Sequence, residues 1–279
     1  MKCQGDYFMK KTLIALAVAA SAAVSGSAMA WSNGDFNGSV DIGGTVTPPP
    51  ISPWQWKMGA PITGLDTSWD KLSVSNEATF NINTAKPLVM GKLETPTIGG
   101  PNLAPQVTWQ DAKGQKITPV FDNTGNGSRL SLNAAVMDKA GNNELGSAVL
   151  HIHAYGLVAK SNTADNAGLN YQPVRAANVG DVGYGMLSGD MAGILQSADQ
   201  TLAAINALAT EKIFTQAMKQ GANPKDQAVT TTLTSPAQKN TAALVAGFES
   251  GDSVVVTFNQ RPTSTTEWKI PVGVTVVHQ

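Results

Sequence analysis

Two histidines of this sequence have a spacing that could support metal binding. His151 and His153 are two positions apart in an alternating segment, so they would share one face of a strand, a geometry that can hold zinc. No third ligand is evident, and the single cysteine is Cys3, far away in the sequence. We therefore interpret the pair as solvent-facing side chains and expect neither a metal nor a cofactor. The third histidine, His278, belongs to no serine–histidine–aspartate grouping.

The acidic residues do not form a recognisable site either. The aspartates of the second half of the chain are scattered and do not follow the calcium-loop pattern. They include Asp165, Asp181, Asp190 and Asp199. A glycoside hydrolase needs two facing carboxylates at a defined separation, and the sequence reveals no such pair. A secreted glycan-active enzyme is therefore the least favoured alternative. The glycine-rich run Gly180–Gly185 lacks the strand–turn–helix surroundings of a nucleotide loop, and we interpret it as a flexible connector.

Aromatic rings offer a different chemistry, because an exposed ring can stack on a sugar. Trp69 and Trp109 are candidates for such stacking. Trp54, Trp56 and Trp268 alternate with polar residues along predicted strands, so we expect them in the core instead.

The first 30 residues have the order of a secretory signal peptide. Met9–Lys11 is positively charged, Thr12–Ala23 is apolar and Ala28–Ala30 is a small-residue cleavage site. The apolar stretch is too short for a permanent membrane span. We predict cleavage after Ala30, with residues 1–8 as an upstream extension, and export through the periplasm. The mature chain then has no cysteine, so burial and strand pairing must stabilise it without disulfides.

Charge and composition exclude one class of partner. The net charge is −1 and charged residues make up 14% of the chain, whereas soluble proteins average roughly a quarter. Nothing in this balance indicates nucleic acid binding. A surface poor in charge and rich in Gly, Asn, Thr and Ser is typical of a β protein that works outside the cell.

The segment 31–47, at the start of the mature chain, alternates like a strand with one buried face. The residues on that face are Phe36, Gly38, Val40, Ile42, Gly44 and Val46. A proline spacer, residues 48–53, follows. Because polyproline is stiff and cannot donate to a sheet, the spacer separates this strand from the rest of the chain. The pattern alone leaves two interpretations open: a tethered strand that pairs elsewhere, or an ordinary first strand of the domain's own sheet.

Residues 54–279 carry short strand signals separated by turn formers, which favours a β-sandwich. The signals lie at 54–58, 79–83, 87–90, 106–109, 116–118, 130–134, 147–155 and 253–258. A region of about 156–246 interrupts them. Apolar residues from Leu187 to Leu208 have helical spacing, with Ser188 as the predicted N-cap, and a second helical turn is predicted over Glu211–Lys219.

The last strand signal runs from Trp268 to Val277. Its alternating apolar residues are Trp268, Ile270, Val272, Val274 and Val276. We expect a long strand that is buried on one side and central in its sheet. Pro271 marks one position that cannot donate to a neighbour.

These segments resemble a known family, the FaeG/ClpG fimbrial major subunits. The resemblance is carried by Gly34–Gly44, Trp54–Gly59, Pro105–Val107, Leu145–Val149 and Thr257–Gln260 with Glu267–Trp268. It is specific in the N-terminal block and weak over about 160–245.

The resemblance implies an incomplete immunoglobulin-like sandwich with a partly α-helical insertion, completed by donor-strand exchange. A periplasmic chaperone first fills the groove of the missing strand. At the outer-membrane usher, the N-terminal strand of an identical subunit replaces the chaperone. Phe36, Val40, Ile42 and Val46 would fill pockets of the groove, and Gly44 would lie where it is shallow. Ile270, Val272, Val274 and Val276 would face the chaperone or the groove. The chain ends in His278-Gln279, whereas the family's subunits usually have an aromatic residue before the last position.

The resemblance also implies that a major subunit can bind host glycoconjugates through its insertion. Loops on a rigid scaffold are common recognition sites, so we expect a glycan site in the insertion. The candidates are Tyr171 or Tyr184 for stacking, with Asn170, Arg175 and Asp181 as hydrogen-bonding groups. The alternatives are a purely structural shaft or a minor subunit without receptor binding, in which both tyrosines pack the insertion onto the sandwich.

Overall fold

The computed structural model describes residues 52–125 and 127–279. The predicted signal peptide and the predicted donor strand, residues 31–47, lie outside the described residues, and so does most of the proline spacer. Among the residues that the structure describes, no helix has the length and apolar character needed to cross a membrane.

The described chain is mainly β. Its strands are β1 (Gln55–Met58), β2 (Glu77–Asn81), β3 (Lys86–Ile98), β4 (Pro105–Gln110), β5 (Lys116–Ile117), β6 (Val120–Asp122), β7 (Arg129–Asp138), β8 (Glu144–Asn162), β9 (Gly168–Pro173), β10 (Asn223–Pro224), β11 (Gln238–Phe248), β12 (Ser253–Phe258), β13 (Trp268–Lys269) and β14 (Gly273–His278). They form a large sheet around β8 and a small sheet ordered β14–β4–β5. The predicted sandwich is confirmed.

The long strand β8 organises the large sheet. Its first half pairs with β7 and β12, and its second half pairs with β9 and β11. The predicted strand at 147–155 is therefore only part of β8. Beyond Tyr155 the strand is buried on both faces, with Val158 in the main core and Leu157 under the helical region. A strand covered on both sides has a continuous apolar run without alternation, so its end could not be recognised from period-two spacing.

The main core lies between the two sheets. Val107, Trp109 and Ile117 of the small sheet pack with Leu132, Leu150 and Val256 of the large sheet. A second cluster lies on the outer face of β8 and β11, where Leu157 and Val245 contact the helical region. The helical region therefore covers the large sheet, as an amphipathic segment does in a layered domain.

The helix starts nine residues later than predicted. The α-helix of the described chain, α1, spans Ala198–Leu208, and Ser197 caps it by accepting from the Gln200 amide. The predicted N-cap, Ser188, is buried, and its hydroxyl donates to the side chain of Asn123 at 2.7 Å. Gly193 packs against the same two side chains. These tertiary contacts hold residues 188–196 out of the helix, apart from a 3-10 turn at Met191–Gly193.

The second helical prediction, Glu211–Lys219, is also wrong in extent. Only a 3-10 turn at Ala217–Lys219 is present, and Gln220 ends it in a left-handed conformation. The ends expected for the insertion, 156 and 246, fall inside β8 and β11, which pair with each other there. The segment outside these two strands is 163–237, and it carries α1.

The C-terminal strand is not central. The chain breaks at Ile270–Val272 into β13, which pairs with β7 in the large sheet, and β14, which pairs with β4 in the small sheet. Pro271 lies at this break. Because proline cannot donate a backbone hydrogen bond to a ladder, it interrupts the strand there. Among the described strands, β14 forms the edge of its sheet. The apolar alternation that suggested a central position therefore belongs to an edge.

Candidate functional site

The unpaired side of β14 is the outstanding feature of the described molecule. β14 pairs with β4 from Gly273 to His278, and no other described strand lies along its opposite side. An edge strand of this kind presents a row of backbone N–H and C=O groups to any extended chain that reaches it.

The side chains of this edge form an apolar row. Ile270, Val272, Val274 and Val276 all pack against the main core, but all stay partly exposed. The residues between them on the strand, such as Thr275 and Val277, point outwards. Completely covering an apolar side chain of this size stabilises by about 1.5–3 kcal/mol. A chain that covers this row would therefore gain binding free energy from the burial of these side chains.

A second unpaired segment follows β1. Residues 60–67 have no strand or helix assignment, and their backbone forms no backbone–backbone hydrogen bond with another described residue. Ile62 and Leu65 of this segment are partly buried against the same core as the apolar row. We call the unpaired side of β14, with the apolar row of Ile270, Val272, Val274 and Val276, the open groove.

An aromatic cluster stands at the C-terminal end of β14. The rings of Trp54 and Trp56 stack with 5.5 Å between centroids, and the His278 ring lies 6.5 Å and 6.4 Å from them. The Trp54 indole donates to the Leu103 carbonyl at 2.8 Å. Burial lowers the pKa of the His278 imidazole, so the ring is neutral at neutral pH. These residues join β1 to the end of β14. The core prediction is confirmed for Trp54, which is buried, and in part for Trp56, which is partly buried against the same core.

A groove with an apolar row and unpaired backbone can bind an extended apolar strand. It has no nucleophile–base pair, and no cluster of metal-ligating side chains was found in the described part of the chain. Its chemistry is that of β-strand addition, in which backbone hydrogen bonds give affinity and alternate side chains give specificity.

The comparison with known families agrees with this geometry. Residues 9–279 match the family described as "Fimbrial, major and minor subunit". The chain belongs to this family. It is a structural subunit of a fimbria and not an enzyme, which removes the glycan-active enzyme as an alternative.

Similar proteins share nearly the whole length of the subunit. K88 fimbrial protein AB of Escherichia coli is 29% identical, with 97% of this chain and 100% of the relative covered. K88 fimbrial protein AC of the same organism has the same identity and coverage. F41 fimbrial protein, also from Escherichia coli, is 28% identical over 97% of this chain and its own whole length. The predicted membership of the fimbrial family is confirmed.

The structure places Tyr171 in the second core cluster. Its side chain is 3% exposed, its hydroxyl donates to Asp199, and Lys219 donates to that hydroxyl at 3.1 Å. The Lys219 ammonium also lies 4.4 Å from the centre of the ring. Neither ring face is free for a sugar. The neighbouring Asn170 donates to Gln172 within the same strand.

Arg175 and Asp181 hold the turn after β9. Arg175 donates to the Gly189 carbonyl at 2.8 Å. The Asp181 carboxylate is buried and accepts from the Ala177 and Asn178 amides at 2.9 and 2.8 Å. The run Gly180–Gly185 is thus an ordered turn bonded to β4, not a flexible connector, and both side chains have structural partners.

Tyr184 is the candidate with access to solvent. It is partly exposed and lines a cleft of about 320 Å³ beside β4 and β5. Polar residues on this cleft include Thr108, Lys116, Thr118 and Gln279.

Of the two tryptophans proposed for stacking, Trp109 is 1% exposed and donates to the Gly185 carbonyl, which excludes it. Trp69 is 67% exposed.

A buried polar network escaped sequence reasoning. His151 is exposed, as expected, but His153 is buried. One ring nitrogen, Nδ1, is 2.9 Å from the Asp252 carboxylate, and the Arg129 guanidinium donates to the other at 3.2 Å. Asp252 and Glu249 belong to the four-residue interruption between β11 and β12. The network anchors this interruption to β8, a contact between residues about a hundred positions apart that no local pattern reveals.

Proposed function

We propose that this fimbrial subunit polymerises by donor-strand exchange. The observation that carries the proposal is the open groove, where β14 is unpaired on one side and Ile270, Val272, Val274 and Val276 are only partly covered. The guest is the alternating segment 31–47 of another copy, with Phe36, Val40, Ile42 and Val46 towards the groove and Gly44 at a shallow point. Val272 and Val274, at the middle of the apolar row, gain most from being covered.

The same groove gives the subunit its assembly partners. An exposed apolar edge is an aggregation hazard, so a periplasmic chaperone must cover it until an identical subunit arrives. Export needs the signal peptide 1–30, and the outer-membrane usher is where the chaperone is exchanged for the donor strand. We propose a major rather than a minor subunit, because the segments of the sequence that resemble a known family resemble its major subunits.

One pair of substitutions tests the groove. Val274→Asp introduces a carboxylate where the guest strand must bury it, at a cost of several kcal/mol. Val277→Asp changes the same residue type on the outward face, where Val277 is 52% exposed. We expect fibre formation to be abolished by Val274→Asp and preserved by Val277→Asp, measured by electron microscopy and by quantifying surface fimbriae. Normal fibres from the Val274→Asp subunit would exclude the proposed groove.

Glycan binding is a second candidate function, and the cleft beside Tyr184 favours it. Such a cleft combines aromatic residues, Tyr184 with Phe121 and Trp109, with several polar groups, an arrangement that suits a sugar. Arg175 and Asp181 would then act indirectly, because their hydrogen bonds hold the turn that carries Tyr184. Tyr171 would support the insertion from within.

A glycan array tests this second function with a self-complemented monomer, in which the donor strand is fused to the C-terminus. If a glycan binds, Tyr184→Ala should lower its affinity about tenfold, equivalent to about 1.4 kcal/mol, because the ring on which the sugar stacks is lost. Tyr184→Phe, which keeps the ring at the same position, is the matched control and should retain most of the affinity. Full affinity of Tyr184→Ala would exclude this cleft. If no glycan binds, the subunit is a purely structural shaft protein.

A further inference from the structure

Trp69 is a large exposed ring that the protein holds in place. It begins a 3-10 turn at Trp69–Lys71. The guanidinium of Arg261 lies 5.3 Å from the centre of the ring and donates to the Trp69 and Leu72 carbonyls at 2.8 and 3.0 Å. A cation over an indole face stabilises the pair, and the two hydrogen bonds fix the arginine. One face of the ring is thus supported and the rest remains exposed.

This turn lies towards the Trp268 end of the open groove, because the Trp268 ring is 6.3 Å from the ring of Phe258, three residues before Arg261. Trp69 follows the segment 60–67 in the chain. Arg261 lies in the connection that leads into β13, where the apolar row begins. The Phe258 amide donates to the Asn76 carbonyl at 3.0 Å and ties the two connections together. The opposite end of the groove is marked by the cluster of Trp54, Trp56 and His278.

The sheet favours one direction for a guest strand, because purely antiparallel sheets are over-represented. β14 pairs antiparallel with β4, and β4 pairs antiparallel with β5. A strand that continues this pattern runs antiparallel to β14. Its first residues then lie beside His278 and its last residues beside Trp268. Residues 36–46 and residues 268–278 are equally long, so a guest strand with Phe36 opposite His278 has Val46 beside Trp268.

The next residues of the guest chain are prolines. Pro48–Pro50 follow Val46 after one threonine, and in polyproline II geometry three residues extend about 9 Å. Polyproline segments bind to exposed aromatic side chains, because their shape is preformed and little entropy is lost. The described chain begins at Ser52, two residues after Pro50.

We propose that Trp69, supported by Arg261, is a docking platform for Pro48–Pro50 of the neighbouring subunit whose strand fills the groove. This inference rests on donor-strand exchange and adds a second contact to it. The donor strand fixes the register of two subunits, whereas the docked prolines fix the direction in which the donating subunit leaves the groove. The platform therefore sets the angle between successive subunits along the fibre.

Site-specific photocrosslinking tests the contact in fibres assembled from the full chain. Benzoylphenylalanine at position 69 keeps an aromatic ring at the platform. After irradiation, we expect denaturation-resistant dimers in which position 69 of one copy is joined to residues 48–53 of another, identified by mass spectrometry. The same group at Leu169, an exposed position in β9, is the control and should not be joined to these residues.

A second measurement uses fibre dissociation. Trp69→Ala should make subunit loss in hot detergent roughly tenfold faster, equivalent to about 1.4 kcal/mol, whereas Trp69→Phe should restore most of the stability. Lys71→Ala, in the same turn, should have no effect. Replacing Pro48–Pro50 by three serines should cause the same loss, and the combined variant should lose no more than either alone.

The outcomes separate this inference from the proposed function. If Val274→Asp abolishes fibres but position 69 never joins the spacer, the platform is wrong and donor-strand exchange stands. Losses that add in the combined variant would likewise overturn the platform. If Val274→Asp fibres are normal, donor-strand exchange itself is wrong.

Discussion

Deleting Trp31–Thr47 should give a subunit that still binds its chaperone but forms no fibres. The groove of such a subunit is intact, since all its described residues remain, and the chaperone can still cover the apolar row of β14. What is lost is the strand that we propose as the donor for the next subunit's groove. We expect a complete loss of surface fimbriae by electron microscopy, together with an undiminished chaperone complex by co-purification from the periplasm.

A point substitution refines this result. Ile42→Asp buries a charge without a partner in the neighbouring groove, so it should reduce fibre formation nearly as strongly as the deletion. Ser39→Asp places the same charge on the other face of the strand and should be tolerated. Fibres on cells that carry only the deleted subunit would refute the assignment of residues 31–47 as the donor strand.

Local alternation predicted the sandwich well, because a strand with one buried face records its environment in its own sequence. The signals at 54–58, 106–109 and 253–258 correspond to β1, β4 and β12. The same pattern was misleading at the C-terminus. The alternation of Ile270, Val272 and Val274 shows that one face must become buried, but it does not say which chain buries it. A central strand and an edge that awaits a partner have the same sequence signature.

The start of α1 could not be predicted for a different reason. Apolar spacing continues back to Leu187, and Ser188 is a good N-cap type. The competing interactions are tertiary: Ser188 binds Asn123, which is 65 positions away. Helical propensity is a weak preference, and contacts of this kind override it.

Tertiary contacts also limited the prediction of glycan-binding residues. Tyr171, Arg175 and Asp181 are residue types that often bind sugars, but their partners in the fold are Asp199, Gly189 and the Ala177 amide. Whether such a side chain binds a ligand or packs inside the protein depends on its burial. In a region without regular secondary structure, burial leaves no periodic pattern in the sequence. Trp69 is also a residue type that can stack on sugars, but unlike Tyr171 it is exposed outside the core.

Fusing Gly34–Val46 after Gln279 through a flexible linker should convert an aggregating subunit into a soluble monomer. Expressed without a chaperone, the mature chain exposes its apolar row and should aggregate or be degraded. In the fusion, the donor strand follows β14 as the next antiparallel strand of the sheet, so a short turn suffices. Covering Ile270, Val272, Val274 and Val276 adds several kcal/mol of stability. Size-exclusion chromatography and a cooperative thermal transition measure the outcome.

Two controls make this rescue specific to the groove. The fused strand with Ile42→Asp has the same length and linker but should not rescue the monomer, since its charge would have to be buried. The fused strand with Ser39→Asp should rescue it fully, because that side chain points away from the groove. If the mature chain without its own N-terminal strand is already a stable monomer with no fused strand and no chaperone, the sandwich is complete by itself. The unpaired side of β14 would then be an ordinary sheet edge, and polymerisation would have to use another surface.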